Sequence, residues 1–174
     1  MISVLIETRN QEHPLAVTLV SLVPGAVEGL VAEVVVIDRG SNDRTEEVAE
    51  AAGCRFTVNP PLAGLLSGLR GSWILAVEPG ARLCNGWIEA TGEHMAASAE
   101  PARFVPERSW SLRHVSETLP LIGTRRRGLA NGLLMRTDQA IARAGNGTGL
   151  CGLAQAVATR RLSARIIPAS QFSG

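Results

Sequence analysis

Lysine and tyrosine are absent from the 174 residues, and phenylalanine and tryptophan supply three residues each. All 17 basic residues are therefore arginine, set against 16 acidic ones for a net charge of +1. Totals so balanced carry no mark of a nucleic-acid or anionic-membrane binder. The three cysteines, Cys54, Cys84 and Cys151, are odd in number and form no CxxC pattern. That excludes a disulfide framework and a structural zinc site, and it points to reduced thiols in a cytoplasm. No basic stretch leads the chain, which opens Met1-Ile2-Ser3-Val4-Leu5-Ile6, so no secretory signal is expected. The longest apolar window, Leu15 to Ile37, is interrupted by Pro24, Gly25, Glu28, Gly29 and Glu33. It reads as helix, turn and strand, and no transmembrane segment is expected. Neither GxGxxG after the first strand nor GxxxxGK[ST] anywhere is present, which excludes the common dinucleotide and triphosphate cradles.

What is present is alternation. "ISVLIET" and "EVVVID" are short apolar runs without a polar face, the pattern of strands covered on both sides. Between them "HPLAVTLVSLV" sets Leu15, Leu19, Leu22 and Val23 at helical spacing, with Pro14 suited to a first turn and Pro24-Gly25 to a stop. The next helix opens at "SNDRTEE", where Asp43 and Glu46 have the spacing of a capping box. "CRFTV" and "SWILAV" are further strands, separated by a helix carrying Leu62, Leu65, Leu66 and Leu69. Beyond Glu78-Pro79-Gly80 a helix is expected behind an Asn85 cap, then strands at "ARFVP" and "NGLLMR". Helices over "TDQAIARAG" and "GLAQAVATRRL" and a last strand at "ARIIP" complete the expectation. No repeat or linker divides the chain, so residues 1–174 are expected to form one domain. The pattern predicts a three-layer α/β/α sandwich around a mostly parallel sheet, whose ligands gather at the carboxyl ends of the strands.

Those ends read Glu7-Thr8-Arg9-Asn10, Asp38-Arg39-Gly40-Ser41 and Glu78-Pro79-Gly80. "SVLIETRN", "VVVIDRGSNDRT" and "GLLSGLRGSWILAVEPG", followed by "GLANGLLMRTDQAIARAG" and "GLAQAVATRRLSARIIPA", resemble, in that order, the conserved segments of the family 2 glycosyltransferases of the GT-A fold. The resemblance has four departures. Glu7 stands where proline is usual, Arg39 where the family has a second aspartate, and Glu78-Pro79-Gly80 where it has Asp-x-Asp. Thr148-Gly149-Leu150-Cys151-Gly152 offers no carboxylate where the catalytic base normally sits.

The resemblance implies transfer of a sugar from a nucleoside-diphosphate sugar to an acceptor, with weakened or metal-independent chemistry. The alternative it implies is a non-catalytic glycosyltransferase-like domain that binds nucleotide or a protein partner, a pseudoenzyme. Thr8, Arg9, Asp38, Arg39 and Ser41 are the implied nucleotide-binding residues, although Asp38 also suits a plain turn cap through Gly40 and Ser41. Glu78 is the implied ligand of Mg2+ or Mn2+, against the alternative that Glu78-Pro79-Gly80 is only a turn. Arg39, Arg82 and the run Arg125-Arg126-Arg127 suit a diphosphate, against the alternative that the run is a solvated loop. No motif places a base: His13, His94, His114, Glu107, Glu117 and Asp138 are candidates by residue type alone.

Overall fold

A computed structural model describes residues 1–107, 128–145, 149–155 and 157–169. Arg125, Arg126, Arg127, His114, Glu117 and Thr148 lie outside the described residues. Eight strands form one sheet in the order β3-β2-β1-β4-β7-β6-β8-β5. The first half is the parallel part: β1 (Ile2–Thr8) lies between β2 (Val31–Asp38) and β4 (Trp73–Val77), and β3 (Arg55–Val58) adds outside β2. The second half is mixed. β7 (Leu133–Arg136) runs antiparallel to β4 and to β6 (Ala102–Pro106), β8 (Arg160–Ile167) is parallel to β6, and β5 (Arg82–Leu83) is antiparallel to β8.

The apolar runs without alternation are strands covered on both faces, as their composition requires. On one face α1 (Glu12–Val27), α2 (Thr45–Ala51) and α4 (Trp87–Ala97) bury Leu15, Leu19, Leu22, Ala49 and Trp87 against Ile2, Val4 and Ile6. On the other face α3 (Leu62–Ser67), α5 (Thr137–Arg143) and α6 (Leu150–Gln155) bury Leu62, Leu66, Ala140 and Leu153 against Leu5 and Ile74. The three-layer expectation therefore holds, with a sheet more mixed than the parallel pattern of the first half predicts.

Local differences have local causes. Pro24 does not stop α1, which continues to Val27, because a proline in the last turn forfeits only one helical hydrogen bond. Gly25 is required there for packing: a Cβ would lie 2.4 Å from the Trp87 ring. Val23, expected on the buried stripe, is 55% exposed. The capping box does not form, because Arg44 occupies the cap of α2 and Asp43 instead accepts from Thr45 and from the Glu12 amide. Asn85 gives way to Gly86 at the start of α4. "RRL" belongs to β8, where Leu162, Ala164 and Ile166 are buried and Ser163 and Arg165 between them exposed, a period of two that the preceding apolar helix obscures.

Candidate functional site

The strand order reverses between β1 and β4, since β1 leads outward to β2 and β3 while β4 leads to β7. Crevices at such reversals, beyond the carboxyl ends of the strands, are where open α/β sheets take ligands. The register sets Ile6 beside Val77 and Thr8 beside Asp38, so Glu7, Thr8, Asp38 and Glu78 share one edge. Alternation then divides them. Glu7 and Glu78 each follow two residues after a member of the α3-side core, Leu5 and Ala76, whereas Thr8 follows Ile6 on the α1 side.

Asp38 is only 3% exposed, and both of its oxygens are engaged. Oδ2 accepts the Gly40 and Ser41 amides at 2.9 Å each, and Oδ1 accepts the Ser41 hydroxyl at 2.5 Å. Burial pushes its pKa up, but the hydrogen bonds from Ser41 and Gly40 outweigh burial and hold the carboxyl below its ordinary value. The turn so fixed is joined to the end of β1: Asn10 donates its amide to Ser41 Oγ at 2.8 Å and accepts the Asn42 amide at 2.7 Å. Beside it Thr8 Oγ1 is buried with no hydrogen-bond partner among the described residues. A buried hydroxyl without a partner costs about 1–3 kcal/mol, which a ligand or water at this edge would remove.

Arg39 departs from the strand toward β1. Its Nε donates to Glu7 Oε1 at 2.9 Å, and Nη1 reaches Asn59 Oδ1, beyond β3, at 3.4 Å. Glu7 Oε2 accepts the Leu150 amide at 3.2 Å and lies against Gly149. A carboxylate from the first strand thus reaches the segment before α6 that has none of its own. Asn10, beyond the end of β1, and Asn59, just after β3, both take positive φ, 51° and 46°, a conformation uncommon outside glycine. Arg9 is exposed next to Thr8.

Glu78 is half-withdrawn from water, and burial raises its pKa against a hydrogen bond from the Leu129 amide. Its backbone starts a tight turn, in which Ala81 N–H donates to Glu78 O at 3.1 Å and Gly80 has φ 93°. Proline second and glycine third suit a type II turn. The turn is tied to α1, where the Gly80 amide reaches Thr18 Oγ1 at 2.8 Å. The Cys151 thiol is pushed up by burial first and then by the carboxylates of Glu7 and Glu78. Arg82 lies in β5, paired with β8 at the far edge of the sheet order, and is not brought to Asp38 by any contact described above.

Residues 3–66 match the family model "Glycosyl transferase family 2". The chain has the GT-A glycosyltransferase fold. Among solved structures, glucosyl-3-phosphoglycerate synthase from Mycobacterium tuberculosis with Mn2+, UDP and glucosyl-3-phosphoglycerate aligns with TM-score 0.59 and 22% identity, over 93% of this chain and 70% of that one. The same enzyme with UDP alone gives 0.60 and 20%, over 92% and 69%. With Mn2+, UDP-glucose and phosphoglyceric acid it gives 0.58 and 21%, over 98% and 74%. At these identities the likeness establishes the GT-A fold and leaves chemistry to the residues. No curated protein matches the chain. No helix among the described residues is long and apolar enough to cross a membrane.

Two of those structures hold Mn2+, and a further one holds Mg2+ with UDP. In this GT-A chain no three histidine, cysteine, aspartate or glutamate side chains gather as a metal site among the described residues. Glu78 alone stands at the relevant turn, since Pro79 and Gly80 bring no side-chain oxygen. One carboxylate with substrate phosphates meets the least that Mg2+ requires, so the fit is to a metal held largely by the donor.

Proposed function

We propose that this GT-A domain binds a nucleoside-diphosphate sugar at the carboxyl edge of β1, β2 and β4 and transfers its sugar weakly. The observation that carries the reading is the buried, unpartnered Thr8 hydroxyl next to the turn that Asp38 holds, at the reversal point of the sheet. Asp38 acts by shaping that turn. Its oxygens present the Gly40–Ser41 segment to the nucleoside, while Thr8 and Arg9 supply a hydroxyl and a guanidinium face. When bound, Mg2+ or Mn2+ would neutralise charge on the departing diphosphate, with Glu78 as the protein's ligand.

A base that deprotonates the acceptor contributes about a hundredfold to ten-thousandfold in rate. The described part of the segment before and within α6, Gly149 to Gly152, supplies no carboxylate, and Glu7, the one that reaches it, is paired with Arg39. That observation favours slow transfer and gives weight to a second reading, a nucleotide-binding module without catalysis. Thermal-shift titrations with nucleoside diphosphates and their sugars, with and without Mn2+, test the binding. A ligand at a hundred times its dissociation constant adds about 2.7 kcal/mol. Stabilisation with slow donor turnover supports the enzyme, stabilisation without turnover the module, and no stabilisation by any nucleotide contradicts both.

A further inference from the structure

We infer that Thr18, on α1, is a positioning residue that holds the Glu78 turn in place at the nucleotide edge; the inference rests on the proposed nucleotide site. Thr18 lies on the buried stripe of α1 with Leu15, Leu19 and Leu22 and is 1% exposed. A β-branched residue with a hydroxyl is an unfavourable occupant of that stripe, since leucine or alanine suits a helix better and buries no polar atom. Its hydroxyl is used outside the helix. Oγ1 accepts the Gly80 amide at 2.8 Å, and its own proton faces the Pro14 carbonyl at 3.3 Å and the Glu78 carbonyl at 3.4 Å. Threonine in a helix often returns its hydroxyl to the carbonyl four residues back. Here the same Pro14 carbonyl also accepts the Gly80 amide, at 2.9 Å, so helix and turn share one cluster of hydrogen bonds.

These contacts grip peptide groups on both sides of Pro79 and leave the carboxylate alone. The Glu78 side chain follows Ala76 toward the α3 side and meets the Leu129 amide, whereas α1 covers the opposite face. Gly80 is closely packed in the same turn: a Cβ there would lie 3.1 Å from Ala169 Cβ and 3.5 Å from Pro14 Cβ. One helical turn on, Ser21 Oγ donates to the Thr18 carbonyl at 2.7 Å and accepts the Leu83 amide at 3.3 Å, which fastens the segment again, farther from Glu78. At its other end α1 is tied to the chain after β2. The Gln11 amide donates to Thr45 Oγ1 at 3.3 Å and the Glu12 amide to Asp43 Oδ2 at 3.2 Å. One helix therefore braces the segment after the Asp38 turn against the Glu78 turn, and Thr18 is its hold on the second. A site side chain has to be kept within about 0.5 Å of its productive position by the residues that support it.

Titration calorimetry of the whole chain, in Mn2+ and in EDTA, with whichever of UDP, GDP, ADP, CDP and TDP binds most tightly, tests the inference. Thr18→Val removes the hydroxyl at similar size. It should weaken binding in Mn2+ by about tenfold and leave binding in EDTA unchanged, because only the metal reads the position of Glu78. Thr18→Ser keeps the hydroxyl and should bind as wild type in both conditions. Ser21→Ala, which releases Leu83 and not Gly80, should do the same. Should Thr18→Val not fold, Thr18→Ala set against Thr18→Ser makes the same comparison, since those two differ by the hydroxyl alone. Without nucleotide or metal, amide exchange at Gly80 and Ala81 should quicken in the variant lacking the hydroxyl while β1 and β4 keep wild-type rates. Metal-dependent affinity retained without the hydroxyl, an equal loss in Mn2+ and EDTA, no rescue by serine, or unchanged exchange at the turn overturns the inference and leaves the nucleotide site standing. Wild-type binding indifferent to Mn2+ does so too. Failure of every nucleoside diphosphate to bind wild type overturns the site and the inference together.

Discussion

Arg39 and Glu7 lie on adjacent parallel strands and meet through a single 2.9 Å hydrogen-bonded ion pair, with the same glutamate accepting the first amide of α6. One side chain therefore joins the carboxyl end of β2 to a helix more than a hundred residues later. Because both partners are about a third exposed, solvent screens much of the attraction. A double-mutant cycle with Glu7→Gln and Arg39→Gln should give a coupling energy of about 1 kcal/mol, measured by urea unfolding. Additive single effects would show that the pair contributes nothing to folding.

Asp38 has the clearer structural duty. Asp38→Ala removes the acceptor of two amides and a hydroxyl from a nearly dry position and should cost about 2–3 kcal/mol. Its folded pKa lies below the ordinary 3.8, so its contribution is present above that value and is lost as pH falls through the folded one. The stability difference between wild type and Asp38→Asn should accordingly shrink below pH 4, as read by chemical denaturation across acid pH.

Glu78 titrates in the opposite sense. Burial raises its pKa above the ordinary 4.5, so the neutral form stabilises the fold below that pH, and the advantage disappears as pH rises through the folded value. Glu78→Gln should match wild type near pH 4 and exceed it in melting temperature at pH 7. If Mn2+ with a bound nucleoside diphosphate uses this carboxylate, the same variant loses the metal-dependent part of the ligand shift.

Much of this architecture is legible in the amino-acid sequence. The apolar runs of β1, β2 and β4 carry no polar face, and only a strand covered on both sides tolerates that, so the three-layer arrangement and its ligand edge follow from them. The later chain was less legible. β5 has two residues, too few for a period, and β8 opens on two consecutive exposed arginines, Arg160 and Arg161, beside an apolar helix, so its alternation starts late and merges with helical spacing. The contact of Glu7 with Leu150 depends on tertiary packing across 143 positions, and no local pattern announces it. A glutamate and an arginine at the tips of neighbouring strands were the available signal for the Glu7–Arg39 pair.

Arg103 illustrates the same point. It donates to the Gly128 carbonyl at 2.6 Å and to the Ala154 carbonyl, tying β6 to the turn before β7 and to α6, and burial lowers its pKa. Arg103→Lys preserves charge but not the fork that spans separated carbonyls, and should destabilise by about 1–3 kcal/mol in denaturant unfolding. A neutral result would mean that the carbonyls find water instead.

Gly25→Ala tests the helix–helix packing that supports the α1 face. The added methyl meets the Trp87 ring, and the overpacking should cost about 1–3 kcal/mol, with recovery in Gly25→Ala combined with Trp87→Leu. Loss of stability without recovery would place the strain in the backbone of α1 instead.

Hydrogen exchange with and without a saturating nucleoside diphosphate tests the nucleotide edge most directly. The account predicts slowed exchange in peptides covering Thr8–Asn10, Arg39–Ser41 and the turn at Gly80–Ala81, with α4 and β8 unchanged. Protection confined to other surfaces, with those three strand ends unaffected by a ligand that binds, would contradict it.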